Sequence, residues 1–318
     1  MRPAVPFPHQ PAMVSEVVEL FATVPDGTVV DATVGGGGHA EALLGAHPGL
    51  AVLGLDQDPE AVAAAAARLD PYGSRAQVEH ARFDRLAAVA AGHADPVVGV
   101  LFDLGVSSPQ LDRPERGFSY RADGPLDMRM DPGAARSAHE IVNGATEAEL
   151  ARVLRTFGEE RFAARIARAI VTARPIGSTG RLAEVVAGAV PAPARRHGGH
   201  PARRSFQAIR IAVNEELAVL VPALDQALDL LAPAGRCVVI AYHSGEDRIV
   251  KQRFRQAATG GCICPRGLPC VCGATPAVRL LTRRPQRPTE AEVAGNRRAG
   301  SARLRAVERL ADGSPGRP

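Results

Sequence analysis

The sequence predicts an α/β protein with a doubly wound parallel sheet that is interrupted by a smaller helical domain. Three observations support this fold class. Strand and helix patterns alternate over residues 29–104, which is typical of a parallel sheet covered by helices on both faces. Residues 107–132 are polar, rich in Pro, Gly and Arg, and helical patterns follow them. A strand pattern returns at Cys237–Ala241, which indicates that the sheet resumes there.

The predicted strands are short apolar runs bounded by turn residues. Asp58-Pro59-Glu60 marks a helix start, with Pro and acidic residues in the first turn. The strands are Val29–Val34, Leu50–Leu55, Val78–Phe83, Val97–Leu104 and Cys237–Ala241, with a final pair at Val278–Leu281 and Leu304–Val307. The helices are Ala40–Leu44, Ala61–Leu69, Leu86–Ala91, Ser137–Asn143, Thr146–Phe157, Arg161–Ala173, Leu182–Val190, a long helix over Phe206–Leu231 interrupted at Pro222, and Ile249–Ala257.

These patterns divide the 318-residue chain into a sheet domain and an insertion. We expect the sheet domain at residues 1–112 and 206–310, and the inserted helical domain, with a role in substrate recognition, at residues 113–205. A loop of that length without secondary structure would be unusual, which favours a folded insertion. Residues 311–318 are expected to form a disordered tail.

The turn after the first strand indicates a site for an adenosine-type cofactor. The run Gly35–Gly38 lets a ligand approach the backbone with no Cβ in the way. The helix that begins near His39 directs unpaired N–H groups at this point. Asp56 ends the next strand, where its carboxylate can accept hydrogen bonds from both ribose hydroxyls. The run also fits a dinucleotide fingerprint, and a plain turn is the remaining alternative.

Polar residues follow two later strands, at the edge where an open α/β sheet binds its ligands. Asp103 is placed to hold an adenine amino group or a cationic centre, and Ser108-Pro109 forms a rigid polar turn. His243 follows the later of these strands, and histidine is the side chain best suited to proton transfer near neutral pH. Turn and capping roles are the alternatives. A Ser-His-Asp hydrolase is disfavoured because the chain has no Gly-x-Ser-x-Gly elbow.

Four of the five cysteines crowd into residues 262–272. Cys262, Cys264, Cys270 and Cys272 are able to surround a zinc ion, although Cys-x-Cys pairs are tighter than the usual knuckle. The odd number and the crowding are not those of a secreted disulfide framework. A loop whose thiols carry no ligand is an equally weighted alternative.

Arg203, Arg204 and Arg210 lie in residues 195–210, which contain no acidic residue. Arginine can hold phosphates bidentately and the neighbouring Phe206 can stack on a base, so this segment predicts RNA contact. The alternative is an ordinary helix with Phe206 in the core and the arginines in solvent.

Charge and hydropathy limit the cellular setting. The net charge is +4, and residues 1–10 lack the apolar core of a signal peptide. No apolar run reaches the roughly 18 residues that a membrane span needs. We therefore expect a cytoplasmic protein with no membrane partner. The sequence leaves the oligomeric state open, with a homodimer as one alternative.

In these motifs the chain resembles the bacterial ribosomal small-subunit methyltransferase H family, also called MraW-type. The strings Asp103–Gln110 and Asp123–Met130 are highly specific and separate the chain from ordinary dehydrogenases better than the glycine turn does. Gly245 departs from the family, where Leu is usual, and Arg203 and Ser205 stand where Thr is common. The other matching segments are His9–Leu20, Asp31–His39, Asp56–Pro59, Arg116–Tyr120, Phe157–Phe162, Phe206–Asn214, His243–Lys251 and Asn296–Arg305.

The resemblance implies a Rossmann-like S-adenosylmethionine-dependent methyltransferase sheet with an inserted small helical domain. It also implies N4 methylation of a cytidine in the decoding centre of 16S rRNA, in the small ribosomal subunit. Within that mechanism, Ser107, Ser108 or a nearby backbone carbonyl is expected to accept hydrogen bonds from the target amine, and His243 or a carboxylate to take its proton. The alternatives are an NAD-dependent oxidoreductase and a non-catalytic rRNA-binding assembly factor. The expected cofactor-binding residues are Gly36, Gly37, Gly38, His39, Asp56, Phe83, Asp103 and Gln110.

Overall fold

The computed structural model describes residues 11–195, 199–265 and 271–311. The chain forms two compact units. The sheet unit comprises Met1–Gly105 and Ala218–Pro318, and the inserted unit comprises Val106–Leu217. Within the described ranges, no helix combines the length and the apolar character needed to cross a membrane.

The elements of the sheet unit alternate in the predicted order. Its strands are β1 (Gly27–Asp31), β2 (Leu50–Asp56), β3 (Ala76–His80), β4 (Val97–Asp103), β5 (Leu231–Ala241), β6 (Val278–Leu280) and β7 (Arg303–Arg309). Its helices are α1 (Val14–Phe21), α2 (Gly38–Ala46), α3 (Pro59–Leu69), α4 (Leu86–Ala90), α13 (Ser244–Thr259) and α14 (Glu290–Gly295). The helices of the inserted unit are α5 (Ser108–Asp112), α6 (Ala138–Gly144), α7 (Glu147–Gly158), α8 (Ala163–Thr172), α9 (Thr179–Ala189), α10 (Ala192–Arg195) and α11 (Arg203–Asn214). The unit boundary falls within α12 (Glu216–Leu230).

The seven strands form one sheet in the order β3-β2-β1-β4-β5-β7-β6. Strands β1 to β5 pair in parallel, and β7 runs antiparallel to both β5 and β6. The order 3-2-1-4-5 is that of a Rossmann-like sheet. The predicted fold class is confirmed.

Both faces of the central strands are buried, which is why β1, β2, β4 and the second half of β5 read as nearly continuous apolar runs. Successive residues point to opposite faces. Val29 and Leu101 pack in one hydrophobic cluster and Val30 and Phe102 in the other. Helix α3 shows how local sequence sets the boundaries: Pro59 occupies the first turn, and the Asp58 side chain accepts a hydrogen bond from the N–H of Glu60 at 3.1 Å.

The inserted unit packs its helices around a separate core that includes Ile141, Leu154, Ile166 and Leu182. Helices α7 and α11 approach closely because Gly158 has no side chain: a Cβ there would lie 2.6 Å from a backbone oxygen of α11. The unit thus has its own hydrophobic core, as a folded insertion requires.

The structure divides the chain at other residues than the sequence pattern indicated. The predicted boundaries were 112/113 and 205/206, whereas the inserted unit spans Val106–Leu217. Helix α11 therefore belongs to the inserted unit, because Asn214 accepts from the N–H of Met130 and donates to the carbonyl of Met128, both at 2.8 Å. Residues 312–318 of the predicted tail lie outside the described residues.

Two secondary-structure predictions are corrected. The predicted long helix breaks at Glu215, whose φ of 55° ends α11, and Pro222 lies inside α12. Strand β5 begins at Leu231 rather than Cys237. The register with β4 shifts between Val97, which faces Leu231, and Gly99, which faces Arg236, so the additional residues of β5 lie between these two pairs. Neither the left-handed residue at the end of α11 nor the register shift leaves a signal in the hydrophobic periodicity of the sequence.

Candidate functional site

Three aspartates end neighbouring parallel strands of the sheet unit. Asp31 ends β1, Asp56 ends β2 and Asp103 ends β4, and the strand order places Asp31 between the other two. Burial raises the pKa of Asp31 to about 8, and the charges of Asp103 and Asp56 add to the rise. Burial also raises the pKa of Asp56 to about 6. This edge concentrates carboxylates where water is scarce, which favours a ligand that carries positive charge.

The glycine turn between β1 and α2 orients Asp56 through the backbone. Gly35 (φ 52°) and Gly37 (φ 78°) adopt the left-handed conformation that favours glycine. The N–H of Gly35 donates to Oδ2 of Asp56 at 3.0 Å, and the N–H of Asp58 donates to Oδ1 at 2.9 Å. A carboxylate has about four lone-pair sites, so acceptor capacity remains for a ligand hydroxyl. Gly36 is half-buried in the turn and Gly38 begins α2.

His39 and Asp103 belong to one polar group. The Tyr242 hydroxyl donates to Oδ1 of Asp103 at 2.8 Å, and the Asp103 N–H donates to Oγ1 of Thr33 at 2.6 Å. Nδ1 of His39 lies 3.7 Å from Oδ2 of Asp103, while its Nε2 lies 2.9 Å from the carbonyl oxygen of Ala12. Burial, with the Asp103 charge, holds the pKa of Tyr242 well above its ordinary value. The phenol therefore remains a donor that fixes the Asp103 carboxylate.

Phe83 follows β3 in a short turn and is largely buried. Its ring meets that of Phe102 edge to face, with centroids 5.9 Å apart and planes at 85°. This contact anchors Phe83 near the end of β3, and the adenine contact expected of it stays a prediction.

Ser107, Ser108 and Gln110 lie at the start of the inserted unit. The N–H of Ser107 donates to Oε1 of Gln110 at 3.0 Å, so Gln110 helps to cap α5. Ser108 and Gln110 are both buried. The predicted roles of the two serines towards the target amine and of Gln110 towards the cofactor stay predictions.

His243 caps α13. Its Nδ1 accepts the N–H groups of Gly245 and Glu246 at 3.1 and 3.3 Å, which assigns the ring proton to Nε2. Oε2 of the buried Glu246 accepts the N–H groups of Tyr242 and His243 at 2.9 and 3.2 Å. Nε2 lies 3.0 Å from Oε1 of Glu246 but out of line for a hydrogen bond. The capped turn forms even though Gly245 stands at this position. His243 could act as a base only if it released the N–H groups that it accepts at the start of α13, so the capping role and the predicted catalytic role use the same nitrogen.

Two of the three arginines expected to hold RNA are exposed. Arg203 and Arg204 lie in the first turn of α11, and Arg204 donates to the carbonyl of Glu159 at 3.3 Å. Arg210 instead forms two parallel hydrogen bonds with Glu216, both 2.8 Å, and these side chains are only 14% and 9% exposed. The RNA contact expected of Arg210 stays a prediction, and its guanidinium is already paired with a carboxylate of the same unit.

The cysteine segment follows α13. The sulfur atoms of Cys262, Cys264 and Cys272 all lie within 4.8 Å of one another. Cys270, the fourth predicted ligand, lies outside the described residues.

Three residues of these sites were not among the site residues that the sequence predicted. Asp31 read only as a strand residue, and nothing in the chain order marks Tyr242 as a partner of Asp103. Tyr120 stacks on the exposed His200, with centroids 4.5 Å apart and planes at 17°. Position at the carboxyl end of a strand is the signal that identifies Asp31.

The architecture and the sequence comparisons agree on the class of protein. The sheet has this strand order, with antiparallel β7 between β5 and β6. A glycine turn follows β1, and an acidic residue ends β2. Together these features are those of a Rossmann-like S-adenosylmethionine-dependent methyltransferase. Residues 6–310 match the model of the MraW methylase family, and the chain belongs to this family. The predicted resemblance is confirmed, and the oxidoreductase alternative is wrong.

Curated relatives are similar over almost their whole length. The chain is 49% identical to the ribosomal RNA small subunit methyltransferase H of Heliobacterium modesticaldum, over 96% of this chain and 99% of that protein. It is 52% identical to the protein of the same name from Symbiobacterium thermophilum, over 96% and 98%. An rRNA methylase structure from Streptococcus thermophilus covers 96% of this chain and 100% of its own, at 13% identity and a TM-score of 0.43. That overall likeness is weak, so the fold assignment rests on the strand order.

Proposed function

We propose that this protein transfers a methyl group from S-adenosylmethionine to N4 of a cytidine in the decoding centre of 16S rRNA, within the small ribosomal subunit. The observation that carries the proposal is the carboxylate-lined edge of a sheet that belongs to a methylase family. The relatives that share about half of its residues bear names that specify the small-subunit rRNA.

The residues present fit this cofactor. Asp56 accepts hydrogen bonds from the backbone of Gly35, Asp58 and Gln57, and it retains acceptor capacity for a ribose hydroxyl. The pKa of buried Asp31 rises to about 8 partly because two other carboxylates face it, and a positively charged ligand would relieve that repulsion. When bound, S-adenosylmethionine supplies an electrophilic methyl group on a positively charged sulfur.

The chain's own contribution to the reaction is positioning. The N4 lone pair of cytidine is delocalised into the ring, so acceptors that draw the amine out of the ring plane increase its reactivity. We assign this role to Ser107 or Ser108. Because Nδ1 of His243 is occupied by two backbone N–H groups, it takes the amine proton only if the α13 cap opens.

The inserted unit offers a surface that suits RNA. His200 is exposed and stacks on Tyr120, and the Arg121 guanidinium lies 6.0 Å from the centre of the Tyr120 ring. Arg203 and Arg204 are exposed in the same unit. Aromatic faces and arginines are the groups that hold splayed bases and phosphates of single-stranded RNA. We therefore assign RNA binding to this surface and leave Arg210 out of it.

The test is methyl transfer from radiolabelled S-adenosylmethionine to small subunits that lack the modification, followed by nucleoside analysis. N4-methylcytidine at a single decoding-centre site is the expected product. The double variant Arg203→Gln/Arg204→Gln should raise the KM for subunits with little change in cofactor affinity, and Arg181→Gln, at another exposed site of the inserted unit, serves as its control. Subunit and cofactor binding without transfer would establish the assembly-factor alternative, and label at another base would overturn the proposed specificity.

A further inference from the structure

Three thiols converge in the loop between α13 and β6. The Sγ atoms of Cys262, Cys264 and Cys272 lie within 4.8 Å of one another, and those of Cys262 and Cys272 are 3.6 Å apart. A tetrahedral zinc ion with Zn–S bonds of about 2.3 Å holds its sulfur ligands about 3.8 Å apart. The 3.6 Å between Cys262 and Cys272 is compatible with such a site, and it exceeds the roughly 2.05 Å of a disulfide bond.

The large apolar side chains next to these cysteines face solvent, whereas hydrophobic packing would bury them. Ile263 and Val271 are each 89% exposed, whereas Cys262 and Cys264 are half-buried. Burial of apolar surface alone would turn Ile263 and Val271 inward. Because the sulfurs converge while the larger apolar groups face water, the arrangement is better explained by a ligand for sulfur than by packing.

The backbone holds the ends of this loop in place. The N–H of Cys262 donates to the carbonyl of Thr259 at 3.1 Å, and the N–H of Ala277 donates to the carbonyl of Ala257 at 3.0 Å. Both ends of the loop are thus tied to the last turn of α13. The N–H of Val271 points at Sγ of Cys264 from 3.5 Å, which suits a sulfur that carries negative charge.

We propose that Cys262, Cys264 and Cys272 bind one Zn²⁺ ion through their thiolates. Thiolate ligands select soft and borderline metals, and Zn²⁺ takes the tetrahedral arrangement that this spacing suits. Binding replaces the proton of each thiol, so Zn²⁺ and three thiols give a complex of charge −1 and release three protons. The site belongs to the loop that joins α13 to β6 and lies apart in sequence from the carboxylate edge, so the proposed role of the metal is to stabilise this part of the sheet unit.

The test uses the full chain, stripped of metal by a chelator in the presence of a reductant and then titrated with Co²⁺ as the probe. We expect one Co²⁺ per chain, a thiolate-to-cobalt charge-transfer absorption, displacement of the cobalt by Zn²⁺, proton release on binding and a higher Tm. None of these readouts depends on methyl transfer, so the result is independent of the proposed function.

Two variants and a control complete the design. Cys262→Ser and Cys272→Ser should weaken Co²⁺ binding by roughly 100-fold or more, since each removes a direct ligand. Cys237→Ala removes a buried thiol of β5 and should retain the stoichiometry and the absorption band. The unmodified chain decides the question even if a variant fails to fold: no charge-transfer band and no stoichiometric binding in its reduced form would overturn the site.

Discussion

The Asp56→Asn variant tests the carboxylate edge most directly. The pKa of Asp56 in the folded protein is about 6, roughly 2 pH units above the ordinary value of 3.8, and each unit corresponds to about 1.4 kcal/mol. A raised folded-state pKa means that the folded protein holds the proton more tightly than the unfolded chain does. Ionising Asp56 therefore costs the ligand-free protein about 3 kcal/mol, and stability falls as the pH rises from about 4 to about 6.

Replacing Asp56 by Asn removes that cost and also removes a charged acceptor from the N–H groups of Gly35 and Asp58. The carboxylate accepts both N–H groups, whereas the Asn amide has a single oxygen, so one of these N–H groups loses its acceptor at a cost of about 1–3 kcal/mol. The two effects therefore nearly offset each other at neutral pH. We expect the free energy of unfolding at pH 7.5 to change little, and the difference between the variant and the unmodified protein to depend on pH by up to about 1.4 kcal/mol per unit between pH 4 and 6.

Cofactor binding should respond much more strongly. An amide oxygen replaces a charged acceptor for the ribose hydroxyls, which predicts a loss of about 1.5–3 kcal/mol, or roughly 10- to 150-fold in Kd for S-adenosylmethionine. Calorimetric titration at pH 7.5 measures the affinity, and urea unfolding at several pH values measures the stability. Asp58→Asn is the control, because Asn also caps a helix and the proposed cofactor site assigns no ribose contact to Asp58. Affinity of Asp56→Asn within about threefold of this control, or about 0.6 kcal/mol, would refute the reasoning.

Three further substitutions test packing and polar contacts, each by denaturant unfolding. Arg210→Ala should lower the free energy of unfolding by about 2–4 kcal/mol, because it removes the guanidinium that forms two hydrogen bonds with a largely buried carboxylate. Arg181→Ala breaks an exposed pair and should cost less than about 0.5 kcal/mol, and equal losses would contradict the structural role of Arg210. Glu246→Gln should cost about 1–3 kcal/mol through the α13 cap, and an unchanged free energy of unfolding would argue against it. Gly158→Ala should cost about 1–3 kcal/mol, since its Cβ would meet the Arg204 carbonyl, and a neutral result would show that α7 and α11 can separate freely.

The sequence by itself determined the parts of this protein that depend on local pattern. Apolar runs buried on both faces predicted the central parallel strands, because such strands are apolar at nearly every position. Positive φ angles at Gly35 and Gly37 explain why the turn needed glycine, and Asp56 was placed at the end of its strand by counting along the chain. Asp58-Pro59 likewise marked the start of α3.

Only the tertiary structure decided which groups meet. The Tyr242 hydroxyl bonds to Asp103, which lies 139 residues away in sequence. Arg210 pairs with Glu216 because the left-handed backbone of Glu215 ends α11 between them, and no hydrophobic periodicity in the sequence marks that position. Helix α11 belongs to the inserted unit because a glycine in α7 and the side chain of Asn214 hold it there. Raised pKa values at Asp31 and Asp56 arise from burial, which is a property of the packed sheet edge and of no single residue. Local propensity acts over a few residues, whereas pairing, burial and charge are set by distances that exist only after the chain has folded.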